Sequence, residues 1–98
     1  MHVEFSATVT GPPRRLPAAR AHAGHEAFEV RARGGRDVEV VANLNFTPWV
    51  AVRPGDRVVV GGELVHGRDG TPLVHWTHHD PAGRHEPGFI DWNGRRYA

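Results

Sequence analysis

No cysteine occurs among the 98 residues, which excludes a disulfide framework, a zinc–thiolate site and a cysteine nucleophile. Lysine is absent as well, so all twelve basic residues are arginines. Serine occurs once, at Ser6, in the middle of an alternating segment and without a glycine elbow around it, so no serine triad can be argued. Gly61-Gly62 opens no helix, and a phosphate loop is therefore missing too. No run approaches the roughly 18 apolar residues of a membrane span. Met1-His2-Val3-Glu4-Phe5 lacks the basic and apolar regions of a leader, so the chain as written is expected in the cytoplasm, with no membrane partner.

What the chain has in quantity is glycine, proline, arginine and histidine. Twelve glycines and eight prolines in one small domain favour many short strands over long helices. Twelve arginines against eleven acids leave a formal charge of +1, which does not support a strongly basic nucleic-acid binder. Eight histidines are the unusual feature, since protonating all of them would raise that +1 to +9. Function is therefore expected to be sensitive to pH at about 6–7, where unperturbed imidazoles titrate.

Val3, Phe5, Ala7 and Val9 alternate with polar residues until Gly11-Pro12-Pro13, the pattern of a half-buried strand. Arg14 to Gly24 reads as a long loop, with a short helical turn at Ala18–Ala21 as an option. Glu26–Arg33 and Arg36–Ala42 form two strands about the Gly34-Gly35 turn. Asn43 to Val52 breaks the alternation and forms an irregular connector. Pro54-Gly55-Asp56 then turns into a strand at Arg57–Val65, and Gly67–Pro72 turns into another at Leu73–Thr77. Five strands, with glycines inside the fourth where a closing sheet must bend, predict an all-β fold: a small five-stranded OB-like Greek-key barrel. An SH3-like barrel is the competing architecture. Beyond it, Phe89–Trp92 and Arg95–Tyr97 flank Asn93-Gly94, a strong hairpin signal. The chain thus reads as one domain over 1–98, with 81–98 as a C-terminal loop and hairpin. Register would place Trp92 opposite Arg95 as a cation–π pair and Ile90 opposite Tyr97.

His75, His78, His79 and His85 place half of the histidines within eleven residues, together with Asp80. Imidazoles and a carboxylate are ligands of divalent metals such as zinc or manganese, so these five residues form a candidate metal set. Spacing restricts which can cooperate. His75 and His79 lie about 13 Å apart along an extended strand, too far to share an ion. If Asp80-Pro81-Ala82-Gly83 turns the chain back, His78 comes opposite His85 and His79 opposite Arg84. His78 with His85 is the favoured pair. The structural alternative is that these imidazoles bond backbone carbonyls in a tight loop while Asp80 closes its own turn. His2, His22 and His66 read as surface or loop residues.

The segment His75-Trp76-Thr77-His78-His79-Asp80-Pro81, followed by Gly83, His85, Gly88, Asn93-Gly94 and Tyr97, closely resembles a bacterial family catalogued as domain of unknown function 3465. His25-Glu26-Ala27-Phe28 is similar to its His-Gln-x-Phe segment, and Asn43-Leu44-Asn45-Phe46-Thr47-Pro48 to its Asn-Ile-Asp-Leu-x-Pro segment. Gly55-Asp56 is similar to its Gly-Asp turn. The resemblance implies an OB-like barrel without an established activity, and it adds His25 and Asn43 as ligand-binding candidates. Many relatives resemble secreted or periplasmic proteins. Many also carry histidine where this chain has Ala42, which offers no ligand.

Single-stranded nucleic acid would need a basic groove with stacking aromatics. Arg31, Arg33, Arg36, Arg53 and Arg57, with Phe46 and Trp49, are the residues that could supply one. Trp49 reads first as a plug or cap of the barrel and second as a ligand-stacking platform, while the alternation of His75, Trp76 and Thr77 sends Trp76 into the barrel. Arg84, within the histidine-rich turn, is a further ligand-binding candidate. The expectation is a small binding module of unidentified ligand, with single-stranded nucleic acid a candidate. The alternative is a metal-dependent hydrolase of nuclease or phosphodiesterase type, working through His78, His79, Asp80 and His85. No catalytic residue is assigned.

Overall fold

Alternation in the first segment becomes β1 (His2–Val9), which buries Ala7 and Val9 and packs Val3 and Phe5 against the core. The computed structural model describes residues 1–17, 23–67 and 69–98. The option of a helical turn at Ala18–Ala21, together with His22, lies outside the described residues.

After a short β2 (Arg14–Leu16) come β3 (His25–Ala32), β4 (Asp37–Asn43), β5 (Arg57–His66) and β6 (Pro72–His75). β1, β3, β4, β6 and β5 are bonded in that order, and β5 returns to β1, closing the barrel. The β4–β6 contact is parallel and the others are antiparallel. That follows from the connector 44–56, which carries the chain from β4 across the barrel to β5 before β6 returns beside β4. The architecture is the all-β, OB-like five-stranded Greek-key barrel, with further strands bonded outside it.

Its interior is rich in valine, as β-branched side chains suit a pleated wall. Phe28 and Val30 of β3 meet Val40 of β4, Val60 of β5 and Val74 of β6, all fully buried. Val50 and Val52, from the irregular connector, plug the end of the barrel at which β4 finishes. Gly61 and Gly62 allow close approach. A Cβ on Gly61 would stand 2.5 Å from the Phe89 ring, and one on Gly62 would stand 2.5 Å from the His75 carbonyl.

β7 (Phe89–Trp92) and β8 (Arg95–Tyr97) form the C-terminal hairpin. Asn93 and Gly94 both have positive φ, as a two-residue type I′ turn requires. Trp92 does pair with Arg95 and Ile90 with Tyr97. The expected contact of Arg95 with Trp92 is replaced, because the indole Nε1–H donates to Asp56 Oδ2 at 2.9 Å. A half-buried indole N–H needs an acceptor, and this one turns the ring toward the 54–56 turn. Arg95 instead covers Tyr97 and Arg96 covers Phe89.

Two further differences bear on the site. The 14–24 segment contains β2, which pairs with β3 although three residues are too few for alternation to reveal. The strand expected to reach Thr77 ends at His75, because Trp76 adopts φ +54°.

Candidate functional site

The end of β6 is where the chain builds its most unusual chemistry. Outward-facing residues of a strand alternate with inward ones, and in β6 Val74 points inward while Leu73 and His75 do not. One more extended residue would carry Trp76 into the barrel. The left-handed backbone at Trp76 resets the alternation and leaves the indole 44% exposed on the outer surface, which corrects the expectation from sequence. For a residue with a Cβ this conformation costs roughly 1–2 kcal/mol.

Two contacts hold it. The buried Thr77 donates its Oγ1–H to the Val41 carbonyl at 2.9 Å, tying the segment to β4. From the other side Gly88 donates its N–H to the His78 carbonyl at 3.0 Å. Only glycine fits there, since a Cβ would lie 2.1 Å from the Trp76 carbonyl oxygen.

Rings then assemble in series. His75 stacks on Trp76 and Trp76 on His85, each with centroids 4.7 Å apart and planes within 17° of parallel. His85 meets His78 edge to face at 5.1 Å, and His78 stacks on Phe46 at 4.3 Å. Trp76 is thus sandwiched between two imidazoles. Phe46, 47% exposed, ends the array.

The histidines differ in environment. Nδ1 of His78 lies 2.7 Å from the His79 carbonyl, and Nδ1 of His85 lies 2.8 Å from the Glu86 carbonyl. A carbonyl only accepts, so each Nδ1 carries the proton and each neutral ring keeps its lone pair on Nε2. Burial lowers the pKa of His75, and the neighbouring His85, His25 and His78 push it the same way, against the opposing pull of Glu63. Asp80 accepts the backbone N–H groups of Ala82 and Arg84, and these bonds hold its carboxyl below the usual range. Its Oδ2 is 3.9 Å from His85 Nε2, an ion-pair distance but not a hydrogen bond.

Beside the rings is a concavity of about 280 Å³ on the outer face of β3, β4 and β6. Leu16, Val41 and Leu73 supply apolar surface, and His25, Asn43, Glu39 and His75 supply polar edges. His25 and Asn43 are register partners across β3 and β4, which explains how residues 18 apart share this face.

The other candidates lie apart. The Asp80–Gly83 turn forms, with Gly83 N–H on the Asp80 carbonyl, but backbone pairing joins His78 to Gly88 rather than to His85. His78 and His85 therefore meet through their rings alone. His79 and Arg84 are both exposed, and no contact joins them among the described residues. Trp49 is 36% exposed, with the Arg15 guanidinium 5.5 Å from its ring centre, because Val50 and Val52 already plug the barrel. Among the described residues no three His, Cys, Asp or Glu side chains are grouped to hold a metal ion. Nor do the arginines and aromatics form one groove. Arg31, Arg33 and Arg36 flank the β3–β4 turn, at the opposite end of those strands from the Phe46 and Trp49 connector.

Two placements escape a sequence reading: the backbone of Trp76 breaks its alternation, and Phe46, read only as an aromatic for a basic groove, instead stacks on His78. Glu26 shares the inward face of β3 with Phe28 and Val30, so its burial was legible.

A family model described as "Protein of unknown function (DUF3465)" matches residues 8–98. No curated protein matches the chain, and no solved structure matches it.

Proposed function

The chain belongs to the DUF3465 family of proteins of unknown function, and on that footing we propose that it is a small binding module that seats a flat ring of its ligand in the concavity beside Trp76, against the open edge of the indole. The observation that carries this reading is the backbone of Trp76. A structural tryptophan gains most by burial, yet here a disfavoured φ holds the indole out, braced by imidazoles on either side. The adjoining concavity supplies what a planar heterocycle needs, an apolar floor with amide, imidazole and carboxylate groups along its edges.

Single-stranded nucleic acid is the ligand class we favour. Edge-to-face aromatic contacts contribute about 0.5–1.5 kcal/mol beyond the area they bury, and the faces of OB strands are common sites for bases. No described arginine lines the concavity beside the rings, so ring contacts must outweigh phosphate contacts and the dependence on salt should be shallow. A metal-dependent hydrolase would need a third ligand beside His78 and His85, and none is grouped with them among the described residues.

Anisotropy of a labelled single-stranded oligonucleotide at about 20 and 200 mM salt tests this. Binding at low salt should weaken at least about tenfold in Trp76→Ala and only a few-fold in Trp76→Phe. Absence of binding at low salt removes nucleic acid as the ligand. Equal binding by Trp76→Ala removes the indole edge as its site.

A further inference from the structure

A second and larger concavity, about 640 Å³, lies on a different part of the barrel wall, over β1, β3 and β5. Ser6 and Thr8 of β1 and Thr10 just beyond it line it, with Arg31 near the end of β3, Arg33 just past that end and Arg57 at the start of β5. Strand register makes this an ordered array. Thr8 is the partner of Arg31 on one side and of Arg57 on the other. Directly opposed residues have Cβ atoms about 5 Å apart, so two arginines flank one hydroxyl across three adjacent strands. In the next row Arg33 stands beside Ser6, its backbone N–H donating to the Ser6 carbonyl at 3.2 Å.

Charge is not cancelled here. Arg31 donates only its Nε to Asp37, at 3.0 Å, and neither Arg33 nor Arg57 has a carboxylate within ion-pair distance among the described residues. Acids instead mark the limits of the patch. Glu4 is the outward residue before Ser6 on β1, and Glu29 is the outward residue before Arg31 on β3. Glu29 and Glu39 both engage Arg14, so carboxylates separate this patch from the Trp76 rings. The positive field is therefore compact, unlike the continuous basic track that an extended polyanion follows.

We propose that this face binds a compact, multiply charged oxyanion of the diphosphate or triphosphate class. Guanidinium forks from three positions meet its oxygens in pairs, and the Ser6 and Thr8 hydroxyls donate from beneath. The two sites are independent: Trp76→Ala should leave oxyanion binding unchanged, so failure of either reading is recognisable by itself.

Titration with inorganic triphosphate, followed by backbone amide shifts, tests the proposal. Saturable shifts are expected at Ser6, Thr8, Arg33 and Arg57. The Arg33→Ala, Arg57→Ala double variant should weaken binding by about tenfold or more, whereas Arg15→Ala, beside Glu26 at the other end of β3 from Arg31, should change it less than about twofold. Asp37→Asn, which frees Arg31, should tighten it a few-fold. Equal losses in the double variant and in Arg15→Ala would overturn the site, because attraction would then be diffuse. Tighter binding of a single-stranded oligonucleotide through these arginines would overturn the compact-anion assignment in favour of an extended strand.

Discussion

Glu26 places a carboxyl where the barrel should hold only hydrocarbon. It lies on the inward face of β3 with no exposed surface, and only one of its oxygens is satisfied, Oε1 accepting the Val50 N–H at 2.7 Å. Oε2 has no partner. Burial drives the pKa from its ordinary 4.5 up to about 7, against the smaller lowering effects of the Val50 N–H and the Arg15 charge. Between those two values the native chain retains a proton that the unfolded chain has released. The stability due to the neutral carboxyl is therefore complete below about pH 4.5 and is lost as pH rises through about 7. Raising pH from 5 to 8 should cost on the order of 2–3 kcal/mol at this residue. Asp56, Asp80 and Asp91, all half-buried, behave oppositely, since hydrogen bonds lower their pKa values. Their contribution is lost only as pH falls through the acid range. Glu26→Gln keeps an acceptor for Val50 without a charge, so urea denaturation at pH 5 and 8 should show a decline in the parent that the variant lacks. Parallel declines would mean that Glu26 does not ionise in this window. Alternation with Phe28 and Val30 tells a reader that Glu26 points inward. It cannot disclose the proton, because Val50 arrives from 24 residues away.

At the scale of elements, the segment from Trp76 to Gly88 shows why a regular pattern can mislead. His75-Trp76-Thr77 looks like a continuing strand, and only Gly88, eleven residues beyond Thr77, indicates that another backbone crosses there. By contrast β1, β3, β4 and β5 are legible to within a residue, because each repeats its apolar face several times. The C-terminal hairpin is equally legible, because Asn93-Gly94 carries the turn geometry by itself. Three-residue β2 repeats nothing. The crossing can be tested through glycine. Gly88→Ala pushes a methyl into the Trp76 carbonyl and the Thr77 backbone, and should cost about 2 kcal/mol or more. Gly83→Ala is the control: its φ is +67° but nothing lies within 4 Å, so about 1 kcal/mol of backbone strain is expected. Chemical denaturation separates the two. Equal costs would show that the 76–88 crossing yields readily and does not hold Trp76 in place.

For the molecule as a whole, strand count and turn placement were enough to predict the barrel, and the parallel β4–β6 contact completes it. Sequence treats the hairpin as an addition to that barrel, whereas packing makes it part of the core. One edge of β5 pairs with β1 along most of its length, and the other is divided. β6 takes Glu63–His66 and β7 takes Val58–Gly61, so without the hairpin half of that edge would be open. Ile90 is fully buried, and Tyr97 joins the same cluster as Val58 and Val60. Phe89 covers the gap above Gly61. Burying three such side chains contributes roughly 5–9 kcal/mol, at about 1.5–3 kcal/mol each. A domain of this size has a total stability of about 5–15 kcal/mol. Truncation after Gly88 should therefore abolish cooperative unfolding and leave a chain without dispersed amide shifts, rather than a slightly weakened barrel. A truncated chain that melts cooperatively within a few degrees of the full one would make the hairpin an appendage. The hydrophobic balance argues otherwise, because no other described element reaches the β5 edge that the hairpin covers.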